Sequence, residues 1–142
     1  MMHWAFPLIG KPWLAGAVGP NAFDCWGLVR YVQRQQRGIE MPPLAVGELQ
    51  SPEQLEGLHD LVRRSHWHRQ PEGTAPAEYD IFLMRSRAGP HVGVVIDVGG
   101  QLRVLHAVGD VDSPGSVIHS SFLEVSQLWG RSQIWRYIEN EK

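Results

Sequence analysis

Residues 23–31 are Phe-Asp-Cys-Trp-Gly-Leu-Val-Arg-Tyr, and they begin the segment from which the rest of the fold can be built. Asp24 is a residue type that caps helix N-termini, and Gly38 stands where a glycine often ends a helix. Between them, residues at the spacing of one helix face are Cys25, Leu28, Val29, Val32 and Gln36. The sequence therefore predicts a helix over Asp24–Arg37, with Cys25 in its first turn and on its inward face.

The later segments change from a helical to a strand pattern. Ser51-Pro52-Glu53-Gln54 is a capping box with proline at the first helical position, and it predicts a second helix that ends near Arg64. The predicted strands are Tyr79–Arg85, His91–Val98, Gln101–Val108, Val117–Ser121 and Gln133–Ile138, with a helical turn over Glu124–Trp129. Helices that precede strands are typical of an α+β fold, here with an antiparallel sheet. The length of 142 residues predicts one domain over 1–142.

Composition excludes several classes of protein. Thirteen Lys and Arg against fifteen Asp and Glu give a net charge of −2, and no basic stripe indicates a nucleic-acid partner. No apolar run reaches the roughly 18 residues that a membrane span requires. One cysteine permits no internal disulfide, which is typical of a reducing cytosol. Prolines and glycines interrupt Met1–Gly16, so we expect this segment not to be a secretory signal.

Cys25 is a candidate nucleophile because of its place in the predicted helix. The unpaired N–H groups and the dipole at a helix N-terminus favour a thiolate over a thiol. The same N–H groups can hold the oxyanion of an acyl-transfer intermediate. The position of Cys25 therefore suits nucleophilic attack on a carbonyl.

Two histidines are brought together by hairpin geometry. Gly99-Gly100 is a favoured two-residue hairpin loop, and in that register Gly93 faces His106. Because side chains alternate along a strand, His91 and His106 share one face as diagonal neighbours, with about 7 Å or somewhat less between their Cβ atoms. Gly93 has no side chain, and we expect it to let the helix that carries the thiol approach that face.

These three residues fit the roles of a catalytic triad. Cys25 would attack a carbonyl, His91 would accept its proton and later protonate the leaving amine, and His106 would fix the tautomer of His91. Other interpretations stay open: a lone cysteine is most often a small buried hydrophobe, and the three residues would also suit zinc. His66 and His68 are interpreted as surface or packing residues.

Four motifs in the same order resemble the NlpC-type papain-like cysteine peptidases. Residues 23–31 are similar to the nucleophile motif of this family, and Tyr79-Asp80-Ile81-Phe82-Leu83 resembles its Gly-Asp-Leu-Val-Phe strand. His91-Val92-Gly93-Val94-Val95-Ile96 resembles the strand of the catalytic histidine, and Val104-Leu105-His106-Ala107 resembles the strand of the third polar residue. The resemblance covers roughly Pro12 to Ala107. It implies a papain-like minimal cysteine peptidase fold.

The resemblance also implies a substrate and a set of contacts. It implies hydrolysis of peptide bonds in the stem peptides of bacterial cell-wall peptidoglycan, with no metal and no organic cofactor. Trp13 stands where many family members have a tyrosine at the oxyanion site, and Asp24 and Trp26 flank the nucleophile as candidate substrate-binding residues. The Cys-Trp-Gly sequence and the Gly-Pro-Asn-Ala-Phe lead-in resemble the branch found in phage and prophage tails, which implies tail-tip proteins as partners. The corresponding expectations are synthesis in the bacterial cytoplasm without a signal peptide and location in a virion tail.

Two other functions fit the same residues. The chain would also suit a non-catalytic tail-tip protein that has kept an enzyme fold, because old enzyme folds are reused as scaffolds. It would equally suit a thiol acyltransferase or amidase that acts on another substrate.

Overall fold

The computed structural model describes residues 3–42, 66–86, 89–109, 112–113 and 115–138. Within these ranges, helix α1 spans Cys25–Arg37 and helix α2 spans Phe122–Trp129, and a 3-10 helix covers Phe6–Leu8. The strands are β1 Trp67–Arg69, β2 Ile81–Ser86, β3 Gly89–Val98, β4 Gln101–Val108, β5 Ser116–Ser120 and β6 Ser132–Tyr137. The second helix predicted from Ser51 lies outside the described residues.

The six strands form one antiparallel sheet in the order β1-β6-β2-β3-β4-β5. β2, β3, β4 and β5 are neighbours in chain order, whereas β6 returns to pair with β2 and carries β1 at the edge. The predicted α+β class with an antiparallel sheet is confirmed. No helix among the described residues has the length and apolar character needed to cross a membrane.

Helix α1 begins and ends as its sequence predicts. Asp24 has extended backbone, and its side chain accepts a hydrogen bond from the Gly27 N–H at 2.6 Å. Gly38 ends the helix at φ 66°, in the left-handed region that costs glycine little. These local signals place Cys25 at the first helical position.

The β3–β4 hairpin has the predicted register. Val98 pairs with Gln101, and regular pairing continues as far as Val94 and Leu105. Gly99 and Gly100 take positive φ values of 62° and 90°, as a tight two-residue turn requires. The turn sequence therefore determines which residues of the two strands are opposite each other.

Each helix covers one face of the sheet. The α1 face combines apolar side chains of the helix with alternate strand residues: Leu28, Val29, Val32, Val92, Val94, Leu105 and Ala107. The α2 face has the intervening residues together with two side chains of α2: Phe82, Met84, Val95, Val104, Phe122 and Val125. This division decides which helix each strand side chain meets.

Helix α2 is longer than the helical turn predicted from Glu124. Ser121 accepts a hydrogen bond from the Glu124 N–H at 3.1 Å, and the Glu124 carboxylate accepts one from the Ser121 N–H at 2.8 Å. This reciprocal capping box moves the start of the helix to Phe122. The backbone N–H groups at the start of α2 are thus partly satisfied by two neighbouring side chains.

Candidate active site

Cys25 is held at the start of α1 by an anchored N-terminal loop. The Asp24 carboxylate accepts hydrogen bonds from the Gly27 N–H and, at 2.8 Å, from the Gly16 N–H. The Asp24 N–H donates to the Ala17 carbonyl at 3.0 Å. A Cβ on Gly27 would lie 1.9 Å from that same carbonyl, so only glycine permits this close approach. The loop and the first helical turn therefore form one rigid support for the thiol.

Cys25 is 9% exposed, and its surroundings shift the pKa of its thiol in two opposite directions. Burial, followed by the negative charge of Asp24, raises the pKa of the thiol to about 12. Hydrogen bonds with the backbone of Val92, Trp26 and Cys25 itself lower this pKa. These backbone groups would stabilise a thiolate, but burial outweighs them and the thiol is protonated at neutral pH.

His91 and His106, the histidine pair, are in direct contact. The Nε2 atom of His91 lies 2.9 Å from Nδ1 of His106, and the ring centroids are 5.2 Å apart. The predicted proximity of the two imidazoles is confirmed. On its far side, Nε2 of His106 lies 2.9 Å from the Ser120 hydroxyl oxygen. His106 therefore joins a residue of β3 to a residue of β5.

Both imidazoles are neutral at physiological pH. Burial, with the charge of His106 as a smaller effect, lowers the pKa of His91 to about 3. Burial lowers the pKa of His106 to about 4, although the carboxylate of Glu124 raises it in part. A neutral histidine can accept a proton, so His91 is in the protonation state that a general base requires.

The histidine pair belongs to the α2 face, and α1 packs on the other. Along β4, His106 lies between Leu105 and Ala107, whose side chains are on the α1 face. The side chain of His106 therefore points to the opposite face, where it is hydrogen-bonded with Ser120. The expectation that Gly93 lets α1 approach the histidines is therefore wrong. A Cβ on Gly93 would lie 2.8 Å from the Leu105 carbonyl and 3.0 Å from the His106 Cβ, so this glycine makes room for β4.

The thiol approaches this region along the backbone of β3. One of its backbone hydrogen bonds is with Val92, the residue that directly follows His91. Regular β3–β4 pairing has ended two residues away, at Val94 and Leu105. The sulfur is therefore hydrogen-bonded to the β3 backbone one residue away from His91.

Asp24 and Trp26 point into the protein. Each is 2% exposed, and the Trp26 indole N–H donates to the Pro42 carbonyl at 2.8 Å. Their polar groups are hydrogen-bonded within the protein, so both residues support the nucleophile from inside. Direct contact of either residue with substrate stays a prediction.

Trp13, the predicted oxyanion residue, is buried beside the loop that follows β4. A Cβ on Gly109 would lie 2.9 Å from Cγ of its ring, and the Trp13 N–H donates to the Gly115 carbonyl at 3.0 Å. The ring packs in the cluster that includes Phe23, the residue before the Asp24 cap. These contacts give Trp13 a packing role, and its oxyanion role stays a prediction.

The residues that the structure describes do not form a metal centre. Among them, no group of three His, Cys, Asp or Glu side chains is placed to hold a metal ion. The zinc interpretation of Cys25, His91 and His106 therefore gains no support from their positions.

The family model of the NlpC/P60 family matches residues 10–132. The chain belongs to the NlpC/P60 family. A solved structure with a similar fold is the NlpC/p60 domain of the peptidoglycan hydrolase SagA, with a TM-score of 0.57 and 23% sequence identity. The likeness covers 92% of this chain and 91% of that chain. With 23% sequence identity, it shows that the two chains share a fold. No curated protein matches the chain.

The segment that matches the NlpC/P60 family includes one site residue that sequence reasoning missed. Ser120 lies on β5, where it pairs with Val104 and is the diagonal neighbour of His106. The sequence predicts the strand. The loop between β4 and this strand is rich in turn residues, and its sequence does not determine how the two strands are aligned. Because that loop has no short turn signal like Gly99-Gly100, the sequence could not show which β5 residue meets His106.

Proposed function

We propose that this chain is a cysteine peptidase that hydrolyses peptide bonds in the stem peptides of bacterial peptidoglycan. The observation that carries the proposal is the hydrogen-bonded histidine pair, next to the β3 backbone position that bonds the Cys25 sulfur. Membership of the NlpC/P60 family supports thiol chemistry at this site. The likeness to a domain of SagA, a peptidoglycan hydrolase, supports the cell wall as the source of substrate.

The proposed reaction begins from a neutral thiol and a neutral imidazole. As the sulfur attacks the scissile carbonyl carbon, its proton moves to His91, and a C–S bond forms while the carbonyl oxygen becomes an oxyanion. The backbone N–H groups of Cys25 and Trp26 at the helix N-terminus would stabilise that oxyanion. The C–N bond then breaks and the amine takes the proton from His91. Water, deprotonated by His91, hydrolyses the thioester and restores the thiol.

His106 has a supporting role in this proposal. Its Nδ1 would accept a hydrogen bond from Nε2–H of His91, which leaves Nδ1 of His91 as the basic atom. The same bond stabilises the imidazolium that forms when His91 takes the thiol proton. Cys25, His91 and His106 are thus the proposed catalytic triad.

The test is digestion of purified peptidoglycan, with mass analysis of the soluble products. The wild-type chain should release stem-peptide fragments with new amino termini, and Cys25→Ser, which keeps the shape of the side chain, should release none. Equal product from the two proteins would exclude a thiol mechanism. Trp13→Phe, which removes the indole N–H and retains an aromatic ring, tests the predicted oxyanion role of Trp13.

A second candidate is a structural protein that has kept the fold without the activity. The burial of Cys25 and the raised pKa of its thiol favour it, because a buried neutral thiol reacts slowly. In that case the wild-type chain would release no fragments from any peptidoglycan, while a folded Cys25→Ala variant would still assemble with its partners. The digestion therefore separates the two candidates.

We also propose association with a phage or prophage tail, with synthesis in the bacterial cytoplasm. The support is the Cys-Trp-Gly sequence and its lead-in, which resemble the tail-associated branch. Mass spectrometry of purified virions from a host that carries the gene tests this location. Absence of the chain from tails, with its presence in the cytoplasmic fraction, would contradict it.

A further inference from the structure

A series of two hydrogen bonds crosses three strands of the sheet. His91 on β3 contacts His106 on β4, and His106 contacts Ser120 on β5, each through atoms 2.9 Å apart. His106 is fully buried and Ser120 is 5% exposed, so bulk water does not compete for the bond between them. Because a neutral imidazole has one N–H and one bare nitrogen, the direction of one bond determines the direction of the other.

The series has two self-consistent arrangements. In the first, His106 carries its proton on Nε2 and donates to the Ser120 oxygen, so its Nδ1 accepts from Nε2–H of His91. In the second, the Ser120 hydroxyl donates to His106, whose Nδ1–H donates to His91 and leaves the proton of His91 on Nδ1. Only the first arrangement leaves Nδ1 of His91 able to accept a proton.

The first arrangement is also the one that tolerates a charged His91. An imidazolium has a proton on both nitrogens, so its Nε2–H needs an acceptor at His106. His106 supplies that acceptor when its own proton is on Nε2, and a buried N–H at that atom in turn needs an acceptor. The Ser120 oxygen stands at hydrogen-bond distance to meet this need.

We infer that Ser120 is a positioning residue, whose hydroxyl oxygen accepts the His106 Nε2–H and thereby holds His91 in the tautomer that can deprotonate Cys25. This inference rests on the proposed function. Without the oxygen, the Nε2–H of His106 would lose the hydrogen bond with Ser120, and the Nδ1–H tautomer would become the more stable one. In that tautomer, Nδ1–H of His106 donates to Nε2 of His91, so the proton of His91 is on its Nδ1.

The matched variants are Ser120→Thr and Ser120→Val, whose new side chains share one shape and differ in the hydroxyl. Ser120→Thr should keep activity near that of the wild type. Ser120→Val should lower kcat about 10- to 100-fold with KM little changed, as expected from the loss of one buried hydrogen bond to His106. Ser120→Ala repeats the test with a smaller side chain if the extra methyl prevents folding, and thermal unfolding checks each variant.

A spectroscopic measurement tests the inference without any substrate. In ¹⁵N-histidine-labelled protein, two-bond ¹H–¹⁵N spectra report which nitrogen of each neutral ring carries the proton, and loss of signals in His106→Gln assigns His106. We expect Nε2–H in the wild type and in Ser120→Thr, and a shift toward Nδ1–H in Ser120→Val. His106 protonated on Nδ1 in the wild type, or a tautomer and kcat shared by the Thr and Val variants, would overturn the inference.

The two proposals fail in different ways. If the wild-type chain does not cleave peptidoglycan, the proposed function is wrong, and the spectra still decide the direction of the hydrogen bonds. If the chain cleaves peptidoglycan but Ser120→Val does so at the wild-type rate, the enzyme stands and the role of Ser120 is wrong.

Discussion

Asp24 has two separable effects on the nucleophile, and substitution can measure each. Its carboxylate caps α1 through the buried Gly27 N–H at 2.6 Å and fastens the preceding loop through the Gly16 N–H at 2.8 Å. Its charge also raises the pKa of the Cys25 thiol. Asp24→Ala removes both bonds and the charge, whereas Asp24→Asn removes the charge and keeps an oxygen for the helix cap.

The stability change follows from the burial of the two N–H groups. Loss of the Gly27 bond leaves a buried donor unpaired, at a cost of about 1–3 kcal/mol, and loss of the more exposed Gly16 bond adds about 1 kcal/mol. Asp24→Ala should therefore lower the free energy of unfolding by roughly 2–4 kcal/mol, or the Tm by roughly 5–15 °C. Asp24→Asn keeps the cap and should cost only about 1 kcal/mol, from the mismatch of its amide with the Gly16 N–H.

The thiol should become more reactive as the protein becomes less stable. Iodoacetamide labelling of Cys25 against pH is followed by mass spectrometry, and thermal unfolding by circular dichroism. The wild-type midpoint should lie above that of a free thiol, about 8.5, and both variants should lower it because the negative charge is gone. A wild-type midpoint at or below the free-thiol value, or an unchanged midpoint in Asp24→Asn, would refute this reasoning.

Three further predictions concern the sheet that carries the histidine pair. Gly93→Ala should destabilise the protein by about 1–3 kcal/mol in chemical denaturation, because its Cβ would lie 2.8 Å from the Leu105 carbonyl; wild-type stability would contradict the close approach. Arg136→Met should cost about 3 kcal/mol, because it leaves the buried Asp80 carboxylate without the two bonds at 2.8 and 2.9 Å, and adding Asp80→Asn should restore part of the loss. The free energy of unfolding should decrease as pH falls from about 6.5 toward 4, because His106 takes up a proton in this range in the unfolded chain but not in the folded protein. For His106 this decrease is up to about 1.4 kcal/mol per pH unit. In thermal unfolding at pH 7 and pH 5, His106→Gln should show a smaller decrease, and an equal decrease would assign the effect to other groups.

Local signals are sufficient for the parts of the fold that are close in sequence. Asp24 and Gly38 delimit α1, and Gly99-Gly100 determines the β3–β4 register that brings His91 to His106. A cap acts within one helical turn and a two-residue turn acts on the strands it joins, so both can be recognised without knowledge of the rest of the chain. The family, the nucleophile's place in its helix and the proximity of the imidazoles are therefore accessible from the sequence.

Long-range packing decides what those signals leave open. Alternation along a strand shows that His91 and His106 share a face, but not which helix covers it, and the structure places them on the α2 face with Ser120 while α1 packs on the other. The inward direction of Trp26 and the raised pKa of the Cys25 thiol likewise depend on burial among residues distant in sequence. A side chain's partners across a sheet, and the loss of water around it, arise only when separate elements meet, so the tertiary structure alone determines them.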